Sequence, residues 1–304
     1  MTAAARAGAR RWRRWVGWSV LFLLTAAAVA ALLAYRSARA DPVVRRIAVA
    51  LPGWPAGAAP VRVLLWSDLH LGDRATDADR LERLVAQANA LRPDIVLIAG
   101  DFVSDKRSGT RTYSYDEIVA PLKGLRARLG TFAVLGNHDW WRDAGEARAG
   151  LRQAGIVVLD NDAVAVGPLS LGGLDDAFTD HDRLEPTLAA MRSLPGARLL
   201  LSHSPDPFAR LPGDVTLMLA GHTHCGQISL PLIGPPATFS DYGRRFACGI
   251  VREEGRTLII SAGLGTSVLP LRFGARPDMW LVDLSGSGEP QRAKPDGEAG
   301  EQQD

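Results

Sequence analysis

The sequence predicts an α/β layered catalytic domain carried behind one N-terminal transmembrane helix. Three observations lead there. Short apolar runs rich in β-branched residues alternate with amphipathic stretches of helical period through most of the chain. Clusters of Asp, Asn and His recur where those apolar runs end. An uncharged apolar segment, Val16 to Tyr35, stands ahead of them all.

That segment reads VGWSVLFLLTAAAVAALLAY, close to the ~20 apolar residues a helix needs to cross a bilayer. Residues 1–15 form a basic tail with Arg6, Arg10, Arg11, Arg13 and Arg14, and Trp12, Trp15, Trp18 and Tyr35 stand where interfacial aromatics belong. The leading arginines favour a cytoplasmic N-terminus, which puts the rest on the periplasmic, outer face of a cell inner membrane, single-pass. Arg36, Arg39, Arg45 and Arg46 follow the span, so the charge asymmetry is slight. A cleavable signal is the alternative, because Ala38-Arg39-Ala40 resembles a cleavage site. The length of the run and the arginine in that site favour an uncleaved signal anchor over 16–35.

Residues 36–60 are rich in Pro, Gly and Ala and read as a linker with a strand at Val43 to Val49. Val61 to Trp66 is apolar and β-branched, a buried strand. Leu81, Leu84, Val85 and Ala88 recur at helical spacing within a helix over 79–91. A strand at Ile95 to Ala99, a helix over 115–129, a strand at Phe132 to Leu135 and a helix near Ala144 to Ala154 follow. The second half reads as strands at 157–159, 163–166, 169–174, 198–201, 216–219, 247–251, 257–261 and 279–282, with one helix over 184–191. The catalytic domain is bounded at 61–284. The polar tail 285–304, rich in Gly, Pro, Gln and Glu, reads as disordered.

Composition excludes several classes. The formal net charge is +2 with the surplus arginines near the N-terminus, so no nucleic-acid partner is indicated. The chain has two cysteines, Cys225 and Cys248, too few for a disulfide scaffold or a cysteine zinc finger. Whether they pair stays open, because pairing needs aligned β-carbons that spacing does not reveal. Of the six histidines, five fall into the motifs that follow.

The motifs are Asp68-Leu69-His70, Gly100-Asp101, Gly136-Asn137-His138-Asp139, Ser202-His203 and Gly221-His222-Thr223-His224. Each lies at or after the end of a predicted strand, where open α/β sheets place ligands. Alone, Asp-x-His or Gly-Asp is a common turn, and a single His203 is more often a satisfied histidine than a ligand. Gly-His-Thr-His is stronger, since two imidazoles two apart project to one side of an extended chain. As potential ligands the motifs together supply two Asp, one Asn and four His besides His138, with Asp139 beside them. Carboxylate with imidazole suits Mn, Fe, Zn or Co over thiolate-loving metals, and the set is large enough for two ions if one carboxylate bridges. Burying so many polar groups unpaired would cost a few kcal/mol each, which counts against a purely structural role.

The ordered series resembles the calcineurin-like metallophosphoesterase superfamily, whose pattern is D-x-H, G-D, G-N-H-[DE], H and G-H-x-H. The likeness extends over residues 61–284, and is closer still to the bacterial membrane-associated or exported phosphodiesterases. There the segments 171–176, 221–227 and 263–267 also have counterparts. The resemblance implies a four-layer αββα sandwich of two mixed sheets. It implies that Asp68, His70 and His224 hold one metal, that Asn137, His203 and His222 hold a second, and that Asp101 bridges them. His138 then lies over the substrate as proton donor, and Asp139 either orients it or caps a helix.

The expected chemistry is phosphodiester hydrolysis, a phosphoric ester hydrolase in which two divalent ions, manganese first and zinc, iron or cobalt as alternatives, share a bridging hydroxide that attacks phosphorus in line. Asn137 coordinates through its carbonyl oxygen and presents its amide to a phosphate oxygen. The anchor makes a lipid-linked phosphodiester or pyrophosphate a candidate substrate, with the bilayer as partner. A pyrophosphatase acting on UDP-2,3-diacylglucosamine in the lipid A pathway is the alternative, although that substrate is cytoplasmic. A metal-free membrane scaffold is the third reading, which the complete ligand set opposes. His181 reads as solvent-exposed, Trp140 and Trp141 as packing residues with the substrate path as the alternative for either, and the proline-rich loop 231–239 as a connector or a lipid-tolerant entrance.

Overall fold

The apolar runs become strands because each is short, β-branched and closed by turn residues. The structure, a computed structural model, describes residues 3–104 and 113–287, with side chains from residue 10 onward. In chain order the first half holds α1 (Ala3–Ala38), β1 (Val43–Leu51), β2 (Val61–Trp66), α2 (Ala78–Ala90), β3 (Ile95–Ala99), α3 (Tyr115–Leu122), β4 (Thr131–Val134), α4 (Asn137–Gln153) and β5 (Val157–Val158). The second half holds β6 (Asp162–Val166), β7 (Leu169–Leu174), α5 (Leu184–Arg192), β8 (Ala197–Ser202), β9 (Leu217–Ala220), β10 (Gly249–Glu253), β11 (Arg256–Ile260) and β12 (Asp278–Gly286).

The strands form two sheets, ordered β1-β12-β2-β3-β4-β5 and β10-β11-β9-β8-β7-β6. Both are mixed. β2 through β5 run parallel, and β12 enters antiparallel to β2. β7, β8, β9 and β11 run parallel, with antiparallel β6 and β10 at the two edges. Central strands buried on both faces read as continuous apolar runs, and β3 (IVLIA) is buried at every position.

Three apolar layers hold the sheets and helices together. Leu65, Leu97, Val134, Leu199, Leu219 and Ile259 meet between the sheets. Leu64, Val96 and Ile98 face outward against Leu81, Ile118 and Leu151 of α2, α3 and α4. Leu200, Met218 and Ile260 face the opposite way against Leu188 and Met191 of α5. The result is the expected αββα order, with the loops after β2, β3, β4, β8 and β9 brought to one cleft.

Local chemistry explains the helix limits. Asp77 caps α2 by accepting the Arg80 N–H at 2.9 Å. α3 begins at a reciprocal Ser114–Glu117 cap and ends at Leu122, short of the expected 129. Pro121 lacks a backbone N–H and Gly124 is a poor helix former, so the helix stops between them. α4 begins at Asn137, a full two turns before the expected Ala144, and is interrupted at Asp143 (φ −173°, ψ 98°). That early start places Asn137 and His138 on its first turn.

Part of the segment read as linker is framework. β1 pairs in parallel with β12 from Val43↔Asp278 to Leu51↔Gly286, and β12 runs past the expected edge at Leu284. Residues 288–304, most of the tail expected to be disordered, lie outside the described residues. α1 is exposed from Arg10 to Leu33 and packs on the domain only near its end, where Ala34 and Ala38 are buried. Among the described residues, Arg10–Ala38 is the one helix long and apolar enough to cross a bilayer.

Candidate metal centre

Asp68, His70, Asp101, Asn137, His138, His203, His222 and His224 converge in this cleft and are all buried. The structure thus brings together every residue the motifs nominated. Three overlapping groups have ligand atoms within 4.8 Å of one another: Asp68, His70 and His224; His70, Asp101 and His138; and Asp68, Asp101 and His203. Asp101 Oδ2 lies 3.4 Å from His70 Nε2 and 3.4 Å from His203 Nε2, midway between the two flanks of the cleft.

The backbone aims these groups. Asp68, His70, Asp101, His222 and His224 all adopt positive φ, between 44° and 69°, a region non-glycine residues rarely visit and that gathers at functional sites. Such turns reverse the chain directly after a strand and send the next side chain inward. Close approach then demands glycine. A Cβ on Gly221 would stand 1.6 Å from Ser67 Oγ, and one on Gly136 would stand 2.3 Å from Asp101 Oδ1.

Hydrogen bonds outside the cluster decide which nitrogen faces it. His203 Nδ1 is 2.7 Å from the Ala99 carbonyl, leaving Nε2 inward, 3.1 Å from Asn137 Oδ1. His222 is turned the other way. Its Nε2 is 3.0 Å from the Phe239 carbonyl, and its Nδ1 is 3.0 Å from His203 Nε2. Second contacts of this kind fix tautomer and ring angle in metal-ligating histidines.

His224 Nε2 lies 3.1 Å from His70 Nε2 and 3.3 Å from Asp68 Oδ1. Asp68 Oδ1 is buried and has no hydrogen-bond partner among the described residues, while its other oxygen accepts from Ser67 Oγ and the His222 N–H. A buried carboxylate oxygen left over, beside ring nitrogens that face one another, is the arrangement a cation completes. The residues present therefore fit divalent metal, and carboxylate with imidazole again selects Mn, Fe, Zn or Co.

Electrostatics among the protein's own groups agree with crowding by charge. Burial pushes Asp68 up to about 6. Burial also opposes charge on His203 and Asp101, yet their mutual attraction holds His203 well above the ordinary imidazole range and Asp101 well below the carboxylate range. Burial, then the charge on His203, pushes His222 down to about 3. Burial and the Asp101 charge push Asp139 up to about 7.

Asp139 shows what a neighbouring motif residue does. Its carboxylate accepts the backbone N–H groups of Asp101 (2.9 Å), Phe102 (3.0 Å) and Gly136 (3.0 Å) and the Tyr115 hydroxyl (3.2 Å). It caps the start of α4 and ties that turn to the Asp101 loop, which matches the helix-cap alternative.

Of the other residues around the site, Trp141 was legible only as an alternative, and Phe178 and Arg272 were not legible as such. Trp141 is exposed and stands edge-on to His138 at 4.9 Å, and Phe178 packs on His222 at 4.6 Å. These rings line the mouth of the cleft, so Trp141 takes the alternative of lining the substrate path while packing describes Trp140. Trp140 stacks on His181 at 3.4 Å and bonds Asp175 Oδ1 at 2.8 Å, leaving His181 half-buried instead of exposed. Arg272, fully buried, donates to the carbonyls of Ala262, Gly263, Gly265 and Ala275 and reaches His224 Nδ1 at 3.2 Å. Nothing in the local sequence of Arg272 marks it. Cys225 and Cys248 form a disulfide with Cα atoms 4.6 Å apart, which pins the residue after His224 to the loop before β10.

Comparison with known proteins agrees with this geometry. Residues 61–226 match the calcineurin-like phosphoesterase family. The chain is 32% identical over 240 residues to phosphodiesterase YaeI of Escherichia coli K12, covering 75% of this chain and 83% of that protein. It is 31% identical over 241 residues to the uncharacterized metallophosphoesterase YkuE of Bacillus subtilis 168, covering 77% and 82%. A Bos taurus "transmembrane protein with metallophosphoesterase domain" is 29% identical over 274 residues, covering 83% of this chain but 59% of its own length. On the order of its motifs, its paired mixed sheets and these likenesses, the chain belongs to the calcineurin-like phosphoesterase family and is a phosphoric ester hydrolase.

Proposed function

We propose that this hydrolase cleaves a phosphodiester with two divalent ions, and that α1 anchors it in the membrane with the catalytic domain on the outer, periplasmic face. The observation that carries the catalytic reading is the position of Asp101 Oδ2, equidistant at 3.4 Å from an imidazole on each side. Asp68, His70 and His224 would hold one ion, Asn137, His203 and His222 the other, and Asp101 both. When bound, such ions polarise a phosphoryl oxygen and make a water nucleophilic near neutral pH.

The remaining work falls to the protein. His138 begins at the N-terminal turn of α4, its N–H donating to Asp101 Oδ1 at 2.9 Å, while its ring lies 4.7 Å from that of His70 and faces Trp141. We assign it to hydrogen-bond the phosphoryl group and to pass a proton from a ring nitrogen to the leaving oxygen. In the balance, water adds across phosphorus, the bond to the leaving oxygen breaks, and that oxygen takes the proton. Asn137 presents its side-chain oxygen to the second flank, with its amide available to the phosphate. Trp141 and Phe178 restrict water at the mouth.

Anchoring rests on the exposed apolar face of α1, which has no protein partner from Arg10 to Leu33 among the described residues. The orientation rests on the Cys225–Cys248 disulfide, a bond that persists in oxidising compartments. The same bond counts against a cytoplasmic glycolipid pyrophosphatase.

The test is hydrolysis of bis-p-nitrophenyl phosphate by the purified full chain in detergent, after chelation and with Mn, Zn, Fe, Co or Mg restored. Turnover that disappears with chelator and returns with one ion supports the reading. His138→Ala should bind metal normally and lose roughly 10²–10⁴-fold in turnover, the range for a positioned acid. Full activity in that variant would remove His138 from the proton path.

A further inference from the structure

The apolar residues left exposed by the catalytic domain are not scattered. Leu232, Ile233, Phe239, Val268, Leu269 and Phe273 are exposed on two stretches, 228–239 and 267–273, that are laced together. Gln227 Nε2 donates to the Leu269 carbonyl at 2.8 Å and the Gln227 carbonyl accepts the Phe273 N–H at 3.0 Å. The Ser229 N–H donates to the Phe273 carbonyl at 2.7 Å, and Leu230 and Gly234 close a tight turn with Leu232 at its tip. Residues 228–239 and 267–271 carry no charged side chain. Contiguous exposed apolar surface of this kind marks an interaction site.

What covers it is indicated by its attachment. The Arg272 N–H donates to the Ala34 carbonyl at 3.0 Å, and Ala34 lies in the last apolar turn of α1, one residue before Tyr35. The loops thus sit level with the end of the apolar span. Arg36 and Arg74 are exposed just beyond, where the anionic phosphates of a bilayer would lie. Tyr35 and Arg39 bond the Arg74 carbonyl at 3.2 and 2.8 Å, so helix and domain are joined at this level by more than one contact.

The other edge of the loops touches the metal centre. The Phe239 carbonyl is 3.0 Å from His222 Nε2, and a Cβ on Gly226 would stand 2.1 Å from Pro235 Cβ. One continuous apolar surface therefore runs from the end of the span to the mouth of the cleft.

We propose that loops 228–239 and 267–273 form a collar that sinks into the leaflet from which α1 emerges, and that the cleft takes its substrate as a lipid-borne phosphodiester directly from that leaflet. This rests on the anchored phosphodiesterase reading above and adds its substrate class. Hydrolysis then separates lipid and headgroup at the membrane surface, with the apolar chains never leaving the bilayer.

The experiment uses the full chain in liposomes of phosphatidylethanolamine and phosphatidylglycerol, loaded with Mn. An environment-sensitive fluorophore is placed at Leu232→Cys or, as reference, at Leu24→Cys within the span; the two native cysteines are bonded to each other. Lipid-borne quenchers should reach both sites. Quenching at residue 24 but not at 232 overturns the collar and leaves the anchor standing. Quenching at neither overturns the anchor and the collar with it. The activity arm compares phosphatidylglycerol with soluble bis-p-nitrophenyl phosphate in the same liposomes. Leu232→Glu with Ile233→Glu should lower the ratio of lipid to soluble turnover by about tenfold or more, as expected from withdrawing two apolar side chains from the leaflet. An unchanged ratio overturns the lipid substrate class. Absence of soluble turnover in the unaltered protein would refute the phosphodiesterase reading instead, with the fluorescence still deciding the collar.

Discussion

Replacing Gly136 with alanine should disable the metal centre while leaving the backbone free of torsional strain. Gly136 has φ −112° and ψ 179°, which any residue adopts, so the added methyl is the whole perturbation. Its carbon would stand 2.3 Å from Asp101 Oδ1, 2.8 Å from the Asp101 nitrogen and 2.8 Å from His203 Cε1. None of these distances is tolerable, and relief requires the Asp101 carboxylate to shift by about 1 Å, a displacement that can cost on the order of 10²-fold in rate. Asp139 pins the Asp101 backbone at 2.9 Å and His203 is pinned by Ala99 at 2.7 Å, so the strain falls on the spacing between Asp101 and His203. Overpacking of this kind costs about 1–3 kcal/mol, or roughly 2–12 °C in Tm for a domain of this size. Metal content by mass spectrometry, Mn-dependent turnover and Tm with and without Mn would be measured together. Gly213→Ala, whose added carbon meets nothing within 4 Å, is the control. A Gly136→Ala protein that binds two ions and turns over normally would refute the claim that Asp101–His203 spacing sets activity.

Three other perturbations probe the supports of the same centre. Arg272→Met should lower stability by at least about 3 kcal/mol, since several buried carbonyls lose their donor at about 1–3 kcal/mol each. Mn affinity should fall with it, and Arg272→Lys should not rescue because an ammonium cannot span the guanidinium fork; a Tm lowered by less than about 2 °C, against the roughly 6 °C or more that 3 kcal/mol predicts for a domain of this size, would contradict this. Cys225→Ser with Cys248→Ser should cost about 3 kcal/mol by loop closure over a separation of 23 residues, read by thermal unfolding with and without reductant; equal Tm values would show the bond to be absent in solution. Mn loading should release protons at neutral pH. His203 is held charged by Asp101, with its folded pKa above the unfolded value, so that contribution to stability is present below about 6.5 and lost as pH rises through the folded value. Ligation through Nε2 displaces that proton, so Mn affinity and the Tm gained on loading should both rise with pH. Calorimetry in buffers of different ionisation enthalpy would measure the release, and enthalpies independent of buffer would contradict the assignment of His203 as a ligand.

The αββα arrangement followed from the family resemblance; the α/β layered class, the order of nearly all elements and the eight Asp, Asn and His residues of the cleft came from the sequence pattern alone. These were legible because strand period and strand-end placement are local properties. A motif such as Gly221-His222-Thr223-His224 carries its donors and its turn within four positions. Tertiary structure decided what depends on distant partners. His203 faces inward with Nε2 because the Ala99 carbonyl, 104 positions away, holds Nδ1; His222 faces inward with Nδ1 because the Phe239 carbonyl holds Nε2. Asp139 is a cap for the Asp101 loop because three backbone N–H groups from two separate strand ends point at it. The Cys225–Cys248 bond, the buried fork of Arg272 and the meeting of the two apolar loops with the end of α1 have the same origin. Residue type and spacing state which groups are available, but hydrogen-bond direction and close contact between remote segments exist only once the chain has closed on itself.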